Sequence, residues 1–202
     1  MTRDLTPTGA IVLAAGAALR MGQLKQLLPF GGTTLLGHAI QQAQRAAFER
    51  LVVVLGAEAD RVREAIRPAS VETVLNENWQ AGMGSSITTG LQYLETTGDP
   101  LPAVAILLAD QPYVGSEHLL ALRELLDSTG LSVAAAEYGG KPGVPALFRR
   151  EKFSLLSALP PEAGARHLLR HSNLSIARYP LQEAAADIDT PADFAALRTV
   201  RP

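Results

Sequence analysis

The chain has 202 residues, of which 47% are hydrophobic and 19% charged, and its formal net charge at pH 7 is -2. This hydrophobic content excludes a disordered chain, and the nearly balanced charge gives no reason to expect a nucleic-acid partner or an anionic membrane. The absence of cysteine excludes disulfides, thiolate metal sites and a cysteine nucleophile. Since no apolar stretch approaches the ~20 residues that span a bilayer and residues 1–9 lack a signal-peptide core, we expect one cytoplasmic domain over residues 1–202.

Predicted strands and helices alternate along the chain, which is typical of a layered α/β fold. Short apolar runs predict strands at 10–15, 51–55, 71–75, 103–109, 131–136 and 174–179. Apolar residues at helical spacing predict helices at 34–47 after a cap at Thr33, at 57–67, at 85–96, at 117–126 after a cap at Ser116, and at 149–156, 162–171 and 191–199. Prolines at 142 and 145 argue against a central strand, so residues 144–148 are predicted as an edge or irregular strand.

The most informative stretch follows the first predicted strand. The apolar run stops at Gly16, and the cations Arg20 and Lys25 follow within a few residues. Small residues at 14–16 let a loop approach a ligand closely and expose its N–H groups. Because ligands of open α/β sheets bind outside the carboxyl ends of the strands, we expect a phosphorylated ligand here. The spacing differs from both the P-loop and the Rossmann glycine pattern.

A carboxylate, Asp110, directly follows the apolar strand predicted at 103–109 and should therefore lie at the same edge of the sheet. Mg²⁺ prefers one or two carboxylates together with substrate phosphates and water, so Asp110 is a candidate metal ligand. The alternative is that Asp110 only caps the next turn. Similarly, Asp189 precedes a predicted helix, and as a bare sequence either Asp189 or Thr190 caps that helix.

A glycine-rich turn precedes the helix predicted at 85–96. Gly82 and Gly84 open onto Ser85 and Ser86, where helix N–H groups favour anionic or carbonyl groups of a ligand. A plain helix cap by Ser85 is the other interpretation.

Several of these segments resemble one family. The stretch from Leu13 to Pro29 matches the pattern L-A-A-G-x-x-x-R-M-G-x-x-K-x-L-L-P, which resembles the signature of the MobA-like nucleotidyltransferases, most closely the molybdenum cofactor cytidylyltransferases. The segments G-M-G-S-S-I, L-A-D-Q-P, G-x-P-x-L-F and D-I-D-T-P follow in the family's order. The resemblance covers nearly the whole chain. It implies a Rossmann-like three-layer α/β sandwich with a mostly parallel sheet, of the nucleotide-diphospho-sugar transferase type.

The resemblance also implies roles for individual residues. The catalytic residues implied are Arg20, Lys25 and Asp110. Nucleotide contacts are implied for Leu13, Ala14, Ala15, Gly16, Arg20, Lys25, Gly82, Gly84, Ser86 and Asp110. Asp110 and Asp189 would hold Mg²⁺, and the acceptor contacts implied are Gly143, Pro145, Phe148 and Arg166. The first half of the chain would thus bind the nucleotide, and the second half would bind the acceptor and supply the second metal ligand.

The reaction that the resemblance implies is transfer of CMP from CTP to molybdenum-loaded molybdopterin, with release of pyrophosphate. The product, molybdopterin cytosine dinucleotide, would serve a molybdenum hydroxylase. Three alternatives remain open at this point: a guanylyltransferase of the same cofactor, a cytidylyltransferase acting on a sugar or polyol phosphate, and a non-catalytic protein that binds or delivers the cofactor.

Overall fold

The computed structural model describes residues 5–17, 24–186, 188 and 190–197. The strands are β1 (Thr8–Leu13), β2 (Pro29–Phe30), β3 (Thr33–Thr34), β4 (Arg50–Leu55), β5 (Glu72–Leu75), β6 (Ala103–Leu108), β7 (Val133–Tyr138), β8 (Lys141–Arg149) and β9 (Ile176–Pro180). The helices are α1 (Leu35–Arg45), α2 (Ala59–Ile66), α3 (Met83–Thr96), α4 (Ser116–Thr129), α5 (Phe153–Ser157), α6 (Ala165–His171) and α7 (Pro191–Leu197).

Seven strands form one sheet in the order β5-β4-β1-β6-β8-β7-β9, and β2 pairs with β3 in a separate hairpin. Within the large sheet β8 runs antiparallel to both of its neighbours, and the other strands run in one direction. The mostly parallel sheet expected from the resemblance is therefore confirmed. The carboxyl ends of β1, β4 and β6 lie side by side, because Leu13 is in register with both Val54 and Leu108.

Helices cover both faces of this sheet, which makes three layers. Alternate residues of β1 face opposite ways: Val12 packs in the cluster with α1, α2 and α4, and Ile11 packs in the cluster with α3, α5 and α6. Strands that are buried on both faces are apolar along their whole length, which is why these strands show no polar alternation. Of the helices in the described part of the chain, none combines the length and the apolar character that crossing a membrane requires.

Close packing brings α3 against the centre of the sheet. A Cβ at Gly90 would lie 2.6 Å from Cγ2 of Ile11 and 2.9 Å from Cγ2 of Val54, so only glycine allows this approach. The amino end of α3 is thereby set beside the carboxyl ends of β1 and β4.

Six predicted helix starts are wrong by one to four residues. The helices predicted from residues 57, 149 and 162 begin at Ala59, Phe153 and Ala165. Thr34, and not Thr33, caps α1 by accepting a hydrogen bond from the Gly37 N–H at 3.0 Å, although both threonines pair in the β2–β3 hairpin. The helix predicted from residue 85 begins at Met83. The helix predicted after a cap at Ser116 includes that residue, and Gly115 is its cap.

Residues 144–148 were predicted as an edge or irregular strand: the irregular strand is confirmed by a bulge, and the edge position is wrong. They belong to β8, which lies inside the sheet between β6 and β7. Pairing with β6 involves only residues 146–149, so Pro142 lies beyond it. Pairing with β7 shifts register between Ala135 and Ala136, which leaves Pro145 in a bulge. Both prolines thus occupy positions where a missing N–H breaks no ladder hydrogen bond with β6.

A half-buried histidine on α1 makes the stability of the fold depend on pH. The His38 ring contacts Phe30 edge to face, with ring centroids 4.8 Å apart. Burial lowers the pKa of His38, a backbone hydrogen bond at Pro112 raises it, and Arg45 lowers it, with a net decrease. In the unfolded chain the pKa of this histidine is about 6.5, so below that pH the unfolded chain binds a proton that the folded chain binds less readily. The contribution of His38 to the free energy of unfolding is therefore complete above that pH and is lost as the pH falls.

We therefore expect the free energy of unfolding, measured with urea, to decrease between neutral pH and mildly acidic pH. The variant His38→Gln should show a shallower decrease over the same interval. His171→Gln changes an exposed histidine and serves as the control, with the slope of the parent protein. An equal slope in His38→Gln and the parent would mean that another group causes the acid sensitivity.

Candidate functional site

A cavity of about 340 Å³ opens at the carboxyl ends of β1 and β6, beside the amino end of α3. Its volume is within the range of small-molecule sites. The residues that line it come from four separate parts of the chain: Leu13, Ala14, Ala15, Gly16, Ala17, Lys25, Gln26, Trp79, Gln80, Gly82, Met83, Ser86, Leu108, Ala109 and Asp110. The structure therefore brings together most of the residues for which nucleotide contacts were predicted. Arg20 and Asp189 lie outside the described residues, and Gly84 does not line the cavity.

Protein donors bind the carbonyl groups of the loop that follows β1. The Gln26 side chain donates from Nε2 to the carbonyl oxygens of Ala14, at 3.3 Å, and Gly16, at 3.4 Å. The Ala57 N–H donates to the carbonyl oxygen of Ala15 at 3.0 Å. The carbonyl groups of the three consecutive residues 14–16 are therefore all hydrogen-bonded within the protein. Gln26 is buried, and no pattern in the sequence distinguishes it from a surface glutamine.

In each of these peptide units the N–H group points in the direction opposite to the carbonyl group, since N–H and C=O are trans in a peptide. These are the N–H groups of Ala15, Gly16 and Ala17, and none of them donates to any partner within 5–17, 24–186, 188 or 190–197. All three residues line the cavity. Successive N–H groups of this kind form a concavity that binds anions, so the loop provides a site for phosphate or carbonyl oxygens.

A partly buried ion pair lines the same cavity as this loop. Nζ of Lys25 is 2.5 Å from Oδ2 of Asp110, and the two side chains are 27% and 14% exposed. Lys25 begins the short 3₁₀ turn Lys25–Leu27, and Asp110 follows the end of β6. The sequence placed both residues at one edge of the sheet, and their direct contact is a finding of the structure. The pair places a mobile cation and an acceptor-only carboxylate next to the row of N–H groups.

Asp110 also fits the role of a ligand to a divalent cation. The Ile188 N–H donates to the carbonyl oxygen of Asp110 at 3.2 Å, and in the sequence Ile188 lies between Asp187 and Asp189. In the described ranges no three His, Asp or Glu side chains converge in a metal-binding group. A single carboxylate supplemented by phosphate oxygens and water suits Mg²⁺, so the site fits an ion that arrives with its nucleotide.

The amino end of α3 is capped by a loop from the second half of the chain. The N–H groups of Gly84 and Ser85 both donate to the carbonyl oxygen of Pro161, at 2.9 and 3.3 Å. Gly82 has a φ of 124°, and a Cβ there would lie 2.6 Å from Cα of Glu162. These glycines are therefore explained by close approach of the loop. The expectation that the Gly84 N–H faces a ligand is corrected, because that donor is already bound within the protein.

Ser86 does line the cavity, and a buried asparagine holds it in place. Nδ2 of Asn76 lies 2.9 Å from Oγ of Ser86 and 2.9 Å from Oγ of Ser85. The Ser85 hydroxyl in turn donates to the Gly82 carbonyl at 2.7 Å. Asn76 is 3% exposed and follows β5. Its role could not be predicted from the sequence, because it depends on contacts with α3.

The predicted acceptor residues do not line this cavity. Phe148 is fully buried in the core beneath α5 and α6, which corrects the expectation that it contacts an acceptor. Gly143 gives room to a tyrosine, because a Cβ would lie 2.6 Å from Cζ of Tyr138. Pro145 is buried in the bulge of β8. Arg166 differs from these three: it is half-buried, and its Nη2 donates to Oη of Tyr138 at 3.0 Å.

The chain is similar to known proteins over most of its length. Residues 10–177 match the family model of the MobA-like NTP transferase domain. The chain is 28% identical to the purine catabolism protein PucB of Bacillus subtilis (strain 168), over 93% of this chain and 94% of that protein. It is 30% identical to nicotine blue oxidoreductase of Paenarthrobacter nicotinovorans, over 83% of each chain.

Solved structures from mycobacteria are also similar. The homologue of Rv0371c from Mycobacterium sp. strain JC1 has a TM-score of 0.82 and 31% identity, with 96% of each chain covered. The complex of Rv0371c from Mycobacterium tuberculosis H37Rv with manganese has a TM-score of 0.75 and 27% identity, covering 96% of this chain and 100% of that one.

Proposed function

The chain belongs to the MobA-like NTP transferase family, and on that premise we propose that it transfers CMP from CTP to molybdenum-loaded molybdopterin. An oxygen of the acceptor phosphate forms a bond to the α-phosphorus, the bond between the α-phosphorus and the bridging oxygen breaks, and pyrophosphate leaves. The observation that carries this proposal is the Lys25–Asp110 pair beside the N–H groups of residues 15–17, which donate to no partner among the described residues. We further propose that the reaction takes place in the cytoplasm and that a molybdenum hydroxylase receives the product.

Each part of the site has a task in this reaction. The N–H groups of residues 15–17 bind nucleotide oxygens, and Lys25 neutralises phosphate charge. Asp110, with Asp189 as the proposed second ligand, would hold Mg²⁺, which when bound supplies neutralisation of the phosphate charge. A general base is not required, because a phosphate monoester has its second pKa near ~6 and is largely dianionic at neutral pH. Catalysis then consists of positioning and charge neutralisation.

Two observations support the choice of nucleotide and of metal. The L-A-A-G segment at 13–16, with Gln26-Leu-Leu-Pro29, resembles the branch of the family that uses CTP. The structural relative that was solved as a complex with manganese supports the use of a divalent cation. Arg166, fixed by Tyr138, is the residue that we propose for contact with the anionic acceptor.

The test is pyrophosphate release with Mg²⁺, comparing CTP, GTP, ATP and UTP with and without molybdenum-loaded molybdopterin. Release that requires both CTP and the acceptor is the expected result. Release that requires the acceptor and occurs with GTP but not with CTP is consistent with the same transfer mechanism and indicates a guanylyltransferase. Release only after the acceptor is replaced by a sugar or polyol phosphate, such as methylerythritol phosphate, indicates that substrate class. No release with any combination contradicts the proposal and favours a protein that binds or delivers the cofactor.

The 30% identity to nicotine blue oxidoreductase favours a second candidate, an oxidoreductase reaction. A dinucleotide cofactor carries a pyrophosphate group, which the same row of N–H groups would bind. The decisive assay follows consumption of NADH or NADPH in the presence of an electron-accepting dye. Consumption that depends on the protein, together with no release of pyrophosphate, would replace the first candidate by the second.

A further inference from the structure

The orientation of the buried Asn76 amide is fixed by its hydrogen bonds. The backbone N–H of Asn76 donates to the carbonyl oxygen of Leu55, the last residue of β4, at 2.8 Å. Its Oδ1 accepts from the Asn78 N–H at 3.0 Å. Because an N–H group can only donate, this contact identifies the oxygen end of the amide, and the nitrogen end must face α3. There Nδ2 lies 2.9 Å from the hydroxyl oxygens of both Ser85 and Ser86.

The direction of these hydrogen bonds determines what the two serine hydroxyls can do. Nδ2 is a donor only, so both hydroxyl oxygens accept from it and each hydroxyl hydrogen is left to be donated elsewhere. Ser85 donates its hydrogen to the carbonyl oxygen of Gly82 at 2.7 Å. Ser86 lines the cavity, is 4% exposed, and donates to no group in the ranges that the structure describes. A buried donor without an acceptor costs free energy, and a ligand that accepts the hydrogen removes this cost.

The part of the cavity around Ser86 suits an uncharged ring. None of the lining residues between 79 and 86 carries a charge: Trp79, Gln80, Gly82, Met83 and Ser86. Met83 is 44% exposed and lies three residues before Ser86 on α3, so their side chains are neighbours on the helix surface. Aromatic and thioether side chains provide polarisable surface against which a ring can pack. The charged side chains of the described lining, Lys25 and Asp110, belong to other elements and are suited to phosphate and metal.

We propose that the Ser86 hydroxyl donates a hydrogen bond to an acceptor atom of the nucleobase, and that Asn76 is the positioning residue that makes this hydroxyl a donor. Cytosine offers O2 and N3 as such acceptors. Asn76 does not line the cavity and acts through Ser86. This inference rests on the proposed function for the identity of the nucleotide, and it adds the direction of the hydrogen bond by which the base is recognised.

The test is the Kd for CTP, measured by titration calorimetry with Mg²⁺ in the parent, Ser86→Ala, Asn76→Asp and the double variant. Aspartate has the shape of asparagine, but its carboxylate accepts from the Asn78 N–H and from both serine hydroxyls, which turns the Ser86 hydrogen away from the cavity. With three donors this carboxylate stays ionised at neutral pH. We expect the Kd to rise about 5- to 100-fold in Ser86→Ala and at least as much in Asn76→Asp. Because both changes remove one contact, their effects should not add in the double variant.

Inorganic tripolyphosphate distinguishes loss of the base contact from general damage to the site. Its Kd should be the same in the parent and in all three variants, because Lys25 and the N–H groups of residues 15–17 are unchanged. Ser85→Ala is the control for Ser86→Ala, since the Ser85 hydroxyl donates within the protein. Asn78→Asp is the control for the added charge, because the Asn78 side chain is exposed and makes no hydrogen bond in the described ranges. Both controls should bind CTP within a few-fold of the parent.

Several outcomes would overturn the inference. They are a CTP affinity equal to that of the parent in Ser86→Ala or in folded Asn76→Asp, an equal loss of affinity for tripolyphosphate, and absence of CTP binding by the parent itself. If Asn76→Asp does not fold, as judged by its thermal transition, Ser86→Ala compared with Ser85→Ala decides the question. A parent protein that binds CTP but releases no pyrophosphate contradicts the proposed function, while the comparison of variants still decides the roles of Ser86 and Asn76.

Discussion

Replacing Asp110 by asparagine should lower kcat for pyrophosphate release by about 10²- to 10³-fold or more, with the fold retained. Asparagine has the same shape and can still accept a hydrogen bond from Lys25, but it lacks the charge that we propose for holding a divalent cation. Losses of this size are typical when one preorganised electrostatic group is removed from an active site. The measurement is the rate at saturating CTP and acceptor, together with the thermal transition of the variant.

Asp60→Asn provides the control for this substitution. Asp60 carries the same functional group on the surface of α2, where its side chain is 99% exposed and pairs with Arg63. Exposed ion pairs contribute little to stability, so this variant should match the parent in both activity and melting temperature. Activity of Asp110→Asn within a few-fold of the parent would remove Asp110 from the role of metal ligand.

The edge of the sheet that carries the site could be predicted from the sequence. After Thr8 in β1 and Arg50 in β4, the runs that form β1, β4 and β6 have no polar residue, and such a run indicates a strand buried on both faces of a layered α/β fold. The residues that follow these runs therefore had to lie at one edge, and this placed Gly16 and Asp110 together. Their position needed no knowledge of long-range contacts.

The polar side chains that support the site could not be predicted in this way. Gln26 and Asn76 are both buried, and each bonds to groups that are distant in the sequence or that depend on the packing of α3. A glutamine or asparagine in a loop is most often a surface residue. Only the folded chain shows that these amides orient the loop after β1 and Ser86.

Two expectations were wrong because each was based on local sequence alone, whereas a distant segment of the chain determines the structure at that position. Prolines exclude a strand from the centre of a sheet only where every N–H is needed, and in β8 the bulge and the short pairing with β6 remove that need. A glycine-rich helix start exposes N–H groups only where no other segment caps it, and in α3 the Pro161 carbonyl does so. In both cases the partner that decides the outcome comes from a distant part of the chain.

Lys25→Met should weaken CTP binding and lower kcat/KM by about 10- to 150-fold, which corresponds to the loss of a charge-assisted contact of about 1.5–3 kcal/mol. Methionine keeps the length and the packing of the side chain and removes its charge. Titration calorimetry with CTP, at low and at high salt, measures the change directly. The salt dependence should be smaller in the variant because one cation that pairs with phosphate is lost.

Lys152→Met is a closely matched control, since its side chain is 28% exposed, against 27% for Lys25, and pairs with Glu151 far from the cavity. It should bind CTP like the parent, and equal CTP affinity in Lys25→Met would show that Lys25 serves only to neutralise Asp110. The double variant Lys25→Met/Asp110→Asn separates these roles further. Because the two side chains are in contact, their effects on kcat/KM should not add. If they do add, each residue acts on the nucleotide independently, and the ion pair is incidental to the reaction.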